Sequence, residues 1–187
     1  MKNIIKELEN IGSPKKAIKF LHSNGYTKLS DGQFSVVFLA EDNSHVIKVQ
    51  TLKDLIWWEF INYVKENPNL HFPVVEDIVH IDSDKKRVAV SMEVLVSISN
   101  EEWKTPVMRG LLHFLAYRQY TNTLMHYSLK PGNEKRARQF YENHFNLANA
   151  IDEAADLVYH REGVMDLHRK NFMKRTDNTI VITDPGY

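Results

Sequence analysis

The sequence of 187 residues contains no cysteine, so it forms no disulfide, offers no thiolate nucleophile and cannot build a zinc site from thiolates. It has no excess charge of either sign, because 24 basic residues balance 24 acidic ones. A general nucleic-acid or membrane binder is therefore not expected. No stretch holds the roughly 18 apolar residues that a membrane span needs, and charges come too early at the N-terminus for a signal peptide. We expect a soluble, cytoplasmic protein that binds neither nucleic acid nor membrane.

Hydrophobic residues make up 43% of the chain, enough for a real core in one compact unit or in a two-lobed unit with a cleft. No internal repeat or low-complexity tract interrupts it. Through residues 3–24 the apolar residues recur at helical spacing, with Ser13 and Pro14 as a helix cap and first-turn proline and Gly25 as a stop. This pattern predicts an N-terminal helical extension over residues 1–25.

Residues 26–97 favour five short β-strands and one helix, which we expect to begin at Leu52 with Thr51 as its cap and to end at Lys65. Residues 98–187 are expected to be mainly helical. The predicted strands include Phe34–Ala40, Val46–Val49, Val74–Ile81 and Arg87–Val94, and the later predicted helices cover Val107–Thr123 and Asn133–Arg161, the second closed by Gly163 in the left-handed conformation.

Near the end of the chain, a carboxylate, a carboxamide and a second carboxylate follow one another as Asp166, Asn171 and Asp184. Transfer of a phosphoryl group from Mg-ATP needs a carboxylate to orient or deprotonate the acceptor hydroxyl, and oxygen ligands to hold Mg²⁺ against the phosphates. The order predicts Asp166 as the catalytic base and Asn171 and Asp184 as the metal ligands.

A second group of candidates lies in the first half of the chain. Residues 29–37 form a predicted strand, a turn of small residues and a second strand, in which Ser30, Gly32 and Ser35 would let backbone N–H groups approach a polyphosphate. Small residues are also ordinary in hairpin turns, so this segment alone does not distinguish a phosphate-binding loop from a structural turn.

Lys48 stands between β-branched residues, so strand alternation sends its side chain to the face opposite its neighbours. Glu59 falls on the apolar stripe of the following helix, where a carboxylate is costly to bury unless it is paired. Pairing with Lys48 would satisfy both groups and hold the ammonium near nucleotide phosphates. The alternative is that Glu59 lies at the edge of the stripe and reaches water.

From residue 26 to the end, the order of loop hairpin, strand lysine, helix glutamate, Asp-x4-Asn and Asp-Pro-Gly resembles the protein-kinase-like superfamily. The segment from Asp166 to Asn171, with His168 between them and Asp184-Pro after them, is closer to aminoglycoside and choline phosphotransferases and to small bacteriophage-encoded serine/threonine kinases than to eukaryotic protein kinases. The resemblance implies an α+β, two-lobed fold: a β-rich nucleotide-binding N-lobe over 26–97, with a five-stranded antiparallel sheet and one helix, and a reduced helical C-lobe over 98–187.

The same resemblance implies ATP and Mg²⁺ as cofactors, with ATP in the cleft between the lobes. Backbone groups from Glu93 to Leu95 would hold adenine, and Met92 would border its pocket. His168 stands where protein kinases have a lysine, as it does in the antibiotic kinases.

Two departures from the family pattern matter. Ser30 and Ser35 occupy the places of the outer loop glycines, which predicts a stiffer loop and slower turnover. Only Tyr187 follows Asp184-Pro-Gly, so the activation segment and later C-lobe helices are missing. Two alternatives stay open: the sequence is cut short, or it is a minimal kinase whose C-lobe is completed by a second copy or a partner.

The function we expect is that of a serine/threonine kinase that phosphorylates a protein, a host protein if the source is a phage. Asp166 would act as base and Lys48, braced by Glu59, would neutralise the phosphates. A kinase-fold protein that blocks a partner without turnover, and a small-molecule phosphotransferase, are the alternatives.

Overall fold

The computed structural model describes residues 4–9, 11–32, 34–122 and 133–186. Backbone contacts divide the chain into two compact units. The first unit comprises Met1–Asn69 and Pro73–Leu95, and the second comprises Leu70–Phe72 and Val96–Tyr187. Both contain helices and strands, so the chain belongs to the α+β class, as expected.

The first unit is built on a five-stranded antiparallel sheet with the order β1-β2-β3-β5-β4. This confirms the predicted number and orientation of strands. The strands are β1 (Thr27–Asp31), β2 (Ser35–Leu39), β3 (Val46–Thr51), β4 (Val75–His80) and β5 (Arg87–Met92).

Two N-terminal helices, α1 (Ile4–Glu7) and α2 (Pro14–Ser23), share a core with this sheet. Ser13 caps α2, since its side chain accepts a hydrogen bond from the Lys16 N–H at 3.4 Å. The buried residues common to helices and sheet are Ile5, Leu8, Ala17, Leu21, Tyr26, Phe38, Ala40, Ile47, Val49, Val79, Ile81 and Ala89. The predicted N-terminal extension therefore contributes side chains to the core of the first unit.

The next helix, α3 (Leu55–Glu66), begins later than predicted. The Asp54 side chain accepts a hydrogen bond from the Trp57 N–H at 3.0 Å and caps it. Thr51 is the last residue of β3, so it cannot serve as the cap. Asp and Thr are both suitable N-cap residues. Because β3 extends through Thr51, Asp54 is the one that can cap α3.

The second unit combines helices with a small antiparallel sheet of order β6-β7-β8. The sequence predicted helices and loops here but not this sheet. Its members are β6 (Val96–Ser97), β7 (Phe172–Lys174) and β8 (Ile180–Ile182), the helices are α4 (Pro106–Asn122), α5 (Asn133–Asn143) and α6 (Phe145–His160), and short 3₁₀ turns cover Glu102–Lys104 and Arg169–Asn171.

The helix predicted over 133–161 is in fact two helices, because the chain breaks at His144, where φ is −134° and ψ is 46°. Apolar residues keep their helical spacing across the break, so periodicity could not reveal it. The predicted helix that precedes it agrees closely with α4, although its predicted end, Thr123, lies outside the described residues.

The left-handed residue after α6 is Glu162, with φ of 55°, rather than the predicted Gly163. The N–H of Gly163 donates to Val158 O at 3.0 Å and that of Glu162 to Tyr159 O at 3.0 Å. This pair of bonds is a Schellman motif, in which the glycine occupies the position after the left-handed residue. Within the described ranges, no helix is both long and apolar enough to cross a membrane.

Candidate active site

The loop that leads into β7 closes on itself around the main chain of Asp166. The Asp166 carbonyl accepts from the His168 N–H at 2.9 Å and from Nδ2 of Asn171 at 2.5 Å. The Asn171 N–H in turn donates to His168 O at 2.9 Å. Asn171 is then directly followed by β7. The spacing Asp-x4-Asn thus places the Asn171 carboxamide against the main chain of Asp166.

The segment after β8 is bonded to the same loop. The N–H and the hydroxyl of Thr183 both donate to the Asn171 carbonyl, at 2.8 and 3.1 Å. The Asp166 N–H donates to Pro185 O at 3.0 Å, and Met165 pairs with Gly186 as an antiparallel bridge. Asp184 lies between these two attachments. The structure therefore brings the chain at Asp166, Asn171 and Asp184 together, as their proposed roles require.

We call the two bonded segments, residues 165–171 and 183–186, the loop pair. Their side chains differ in exposure. The Asp166 side chain is 41% exposed and that of His168 is 52% exposed, with His168 Nε2 at 3.7 Å from Asp166 Oδ2. Asn171 and Asp184 are half-buried. The Asp166 carboxylate is therefore open to an acceptor, and the His168 imidazole lies beside it.

The donor atoms of the loop pair suit Mg²⁺ by their chemistry. Because the Asn171 amide nitrogen donates to the Asp166 carbonyl, the amide oxygen is the atom left to bind a cation. Asp184 supplies a carboxylate, and Mg²⁺ typically takes only one or two protein oxygens, with water and phosphate completing its shell. In the described ranges, no group of three or more His, Asp or Glu side chains is arranged to hold a metal ion by itself.

In the first unit, Lys48 lies on β3 between Val37 of β2 and Val90 of β5. It is half-buried, and its Nζ lies 3.9 Å from the centroid of the Trp57 ring. This cation–π contact holds the ammonium on the α3 face of the sheet, opposite the face that packs on α1 and α2. An aromatic side chain at helical spacing gives no sign of a lysine partner, so the sequence could not indicate this contact of Trp57.

Glu59 follows on α3 and is half-buried. Its proposed pairing with Lys48 stays a prediction. Trp57, by contrast, is 1% exposed, so the ring that contacts Lys48 is fixed in the interior of the first unit.

The small-residue loop forms a tight hairpin turn. Ser30 pairs with Val37, Ser35 opens β2, and the Gly32 N–H donates to Ser35 O at 2.7 Å. Gln33 lies outside the described residues. The Gly32 N–H is thus engaged within the turn, and it must leave Ser35 before it can bind a phosphate.

The segment expected to hold adenine follows β5 directly. Met92 ends that strand, opposite Val46 and Val75. The Glu93 N–H donates to Val74 O at 3.0 Å, and the Glu93 carboxylate accepts from the Val74 N–H at 2.7 Å. Residues 93–95 belong to no strand, and the first unit ends with Leu95. A role in nucleotide binding would therefore use the Glu93 carbonyl or the main chain of the next two residues, because the Glu93 N–H is already bonded.

No protein-family model matches this sequence, and no curated protein matches it either.

Proposed function

We propose that the protein is an ATP-dependent phosphotransferase that acts on hydroxyl groups, with serine or threonine of a protein as acceptor. The observation that best supports this proposal is the hydrogen-bonded pair of loops around Asp166, Asn171 and Asp184. Phosphoryl transfer needs a group that orients or deprotonates the acceptor and oxygen ligands for Mg²⁺, all held close together.

In this proposal Asp166 acts on the acceptor. Its carboxylate accepts the proton of the hydroxyl while the hydroxyl oxygen forms a bond to the γ-phosphorus and the bond to the ADP oxygen breaks. The main-chain bonds to Pro185 and His168 hold the aspartate in place, so little reorganisation is needed.

Asn171 and Asp184 would hold Mg²⁺, which neutralises charge on the phosphates when it is bound. Lys48 would add a cation from the first unit. Its contact with the Trp57 ring holds the ammonium on the α3 face of the sheet. The resemblance places adenine at residues 93–95, and ATP with Mg²⁺ remains the proposed cofactor pair.

One observation favours a second candidate, a kinase-like protein that binds and blocks a partner without turnover. The Gly32 N–H is bonded to Ser35 O, and Gly32 is the single glycine of the loop. Such a turn binds phosphates less readily than an open glycine-rich loop does. A protein of this kind would keep its fold and lose its chemistry.

Calorimetric titration with Mg-ATP, followed by incubation with radiolabelled ATP and a bacterial lysate, separates the two candidates. The phosphotransferase proposal predicts binding and labelled protein bands. Binding without any transferred label over hours would favour the partner-blocking candidate, and labelled small molecules without labelled protein would move the acceptor to a different class.

A further inference from the structure

The second unit contains a cavity of about 460 Å³ between α4, α5 and the break at His144. None of its lining residues belongs to the loop pair around Asp166 and Asp184. The residues that decide its chemistry are Val107, Arg109, His113, Arg136, Phe140 and His144. We refer to it as the α4–α5 cavity.

The charge of the α4–α5 cavity is of one sign. Arg109 comes from α4 and Arg136 from α5, and two imidazoles join them, whereas none of the described residues that line the cavity is Asp or Glu. The chain as a whole has 24 basic and 24 acidic residues, so a cavity wall with only cationic and neutral groups is a local concentration. Two guanidiniums that face one space favour an anion between them.

The arginines are available to such a ligand. Arg136 Nη1 lies 3.3 Å from His113 Nε2. Because a guanidinium can only donate, His113 Nε2 is the acceptor in this contact, which orients Arg136 without pairing it with a negative charge. Across the described part of the chain, neither Arg109 nor Arg136 forms an ion pair with a carboxylate, and both side chains are exposed.

The rest of the wall combines the polar side chains of Gln139 and Asn143 with apolar surface from Val107 and Phe140. Val107 is 41% exposed, and the Phe140 ring packs against the ring of Phe114, with 5.5 Å between the ring centroids. The volume falls in the range of small-molecule pockets, which is roughly 300–1,000 Å³, and exceeds what a bare inorganic anion fills. The ligand should therefore combine an anionic group with an apolar body.

We propose that the α4–α5 cavity binds a small organic phosphate monoester, whose phosphate lies between Arg109 and Arg136 and whose apolar part contacts Val107 and Phe140. A phosphate dianion matches the two guanidiniums in charge and offers oxygens to both, which a carboxylate cannot do equally well. The inference is independent of the proposed phosphotransferase function, because it uses other residues and a binding readout.

The test is calorimetric titration of the full chain with phenyl phosphate, inorganic phosphate and benzoate. We expect phenyl phosphate to bind at least tenfold more tightly than either of the other two probes. Equal binding of phenyl phosphate and benzoate, or no binding of phenyl phosphate at millimolar concentration, would overturn the proposal.

Three arginine variants locate the binding site. Arg136→Gln and Arg109→Gln should each weaken phenyl phosphate binding tenfold or more, since each removes one guanidinium from the cavity. Arg138→Gln is the matched control, because Arg138 is an exposed arginine on the same helix as Arg136 but does not line the cavity. If Arg138→Gln weakened binding as much as the two lining variants, binding would be non-specific attraction to a basic helix and the proposal would be wrong. Circular dichroism of each variant confirms that it is folded.

Discussion

The space around Gly186 explains in physical terms why a glycine stands two residues after Asp184, the second carboxylate of the candidate site. A Cβ at this position would overlap the carbonyl oxygen of Val164 and would lie 3.1 Å from both methyl groups of Val158. The close approach allows the antiparallel bridge between Met165 and Gly186, and the bond from the Asp166 N–H to Pro185 O lies beside it. The glycine is thus a requirement of the bonding between the two loops.

We therefore expect Gly186→Ala to destabilise the fold by about 1–3 kcal/mol, the usual cost of forcing extra volume into a packed position. Urea unfolding followed by fluorescence measures the change. Gly32→Ala is a suitable comparison, since its Cβ would meet the flexible Ser35 hydroxyl at 3.3 Å and no overlapping backbone atom. Equal stability of the Gly186 variant and the unmodified protein would show that the two loops are not held as closely as described.

Some features of the candidate site could be predicted from single residues in the sequence, and others could not. Asp166, Asn171 and Asp184 could be grouped from the sequence because their side-chain chemistry and their order fit the proposed phosphoryl transfer. The contact of Lys48 with Trp57 could not be foreseen, since the geometry of the packed sheet and helix decides which aromatic ring meets the lysine. Nor could the bond from the Gly32 N–H to Ser35, which depends on how the hairpin closes.

Among the helices, the close packing of α4 on α5 depends on Gly110. A Cβ here would lie 2.9 Å from Cδ2 of Phe140, a buried ring. Replacing glycine by alanine inside a helix ordinarily stabilises it by about 1 kcal/mol. The contact with Phe140 reverses that expectation.

Gly110→Ala should destabilise the protein by about 1–3 kcal/mol because the two helices must move apart or the ring must leave its rotamer. The double variant with Phe140→Leu should recover part of the loss, since the smaller side chain leaves room for the methyl group, and chemical denaturation of both variants measures the coupling. A stabilising effect of Gly110→Ala alone would contradict the described packing.

The 3₁₀ turn at Glu102–Lys104 is tied to β7 by an ion pair between Glu102 and Lys174. The pKa of Glu102 is lowered from its ordinary 4.5 to about 2, first by the hydrogen bond from the Lys174 ammonium and then by bonds from Ser99. Because the pKa is lower in the folded protein, this carboxylate stabilises the fold above about pH 4.5, and the contribution is lost as the pH falls towards 2.

The unmodified protein should therefore have a higher thermal midpoint than Glu102→Gln. This difference should be constant near neutral pH and should disappear as the pH falls from about 4.5 to about 2. Glu101→Gln is the control: its carboxylate pairs with Lys104 at 2.6 Å but its side chain is 80% exposed, so little change is expected at any pH. An advantage that persists unchanged to pH 2 would mean that the pair with Lys174 does not form in solution.

The sequence predicted the elements whose residue types and bounding turns are distinctive. It missed a strand of two residues and a helix break across which the apolar spacing continues. Most strands of the first unit are rich in β-branched residues and bounded by turn residues, so five strands could be predicted, and the resemblance implied their antiparallel sheet. The strand Val96–Ser97 is too short to leave a pattern. The break at His144 interrupts no apolar spacing, and the cap at Asp54 competes with an equally suitable Thr51.

The proposed chemistry draws on residues of both compact units. The first unit contains the lysine and the loop that would contact phosphates, and the second contains the base and the oxygen ligands. The sequence order of these residues resembles that of kinases, and the hydrogen bonds within the second unit support the roles given to three of them. Phosphoryl transfer that depends on Asp166 is the central claim that follows.

The most direct test is the rate of label transfer from radiolabelled Mg-ATP to protein acceptors by the unmodified chain and by Asp166→Asn, with Asp156→Asn as control. Asparagine keeps the shape of Asp166 but cannot take up the proton of the acceptor hydroxyl, whereas Asp156 is an exposed residue of α6 and belongs to neither loop. We predict that Asp166→Asn lowers the rate about 10²–10⁴-fold, with nucleotide binding retained, and that Asp156→Asn leaves the rate unchanged. Equal rates for the unmodified chain and Asp166→Asn would contradict the account.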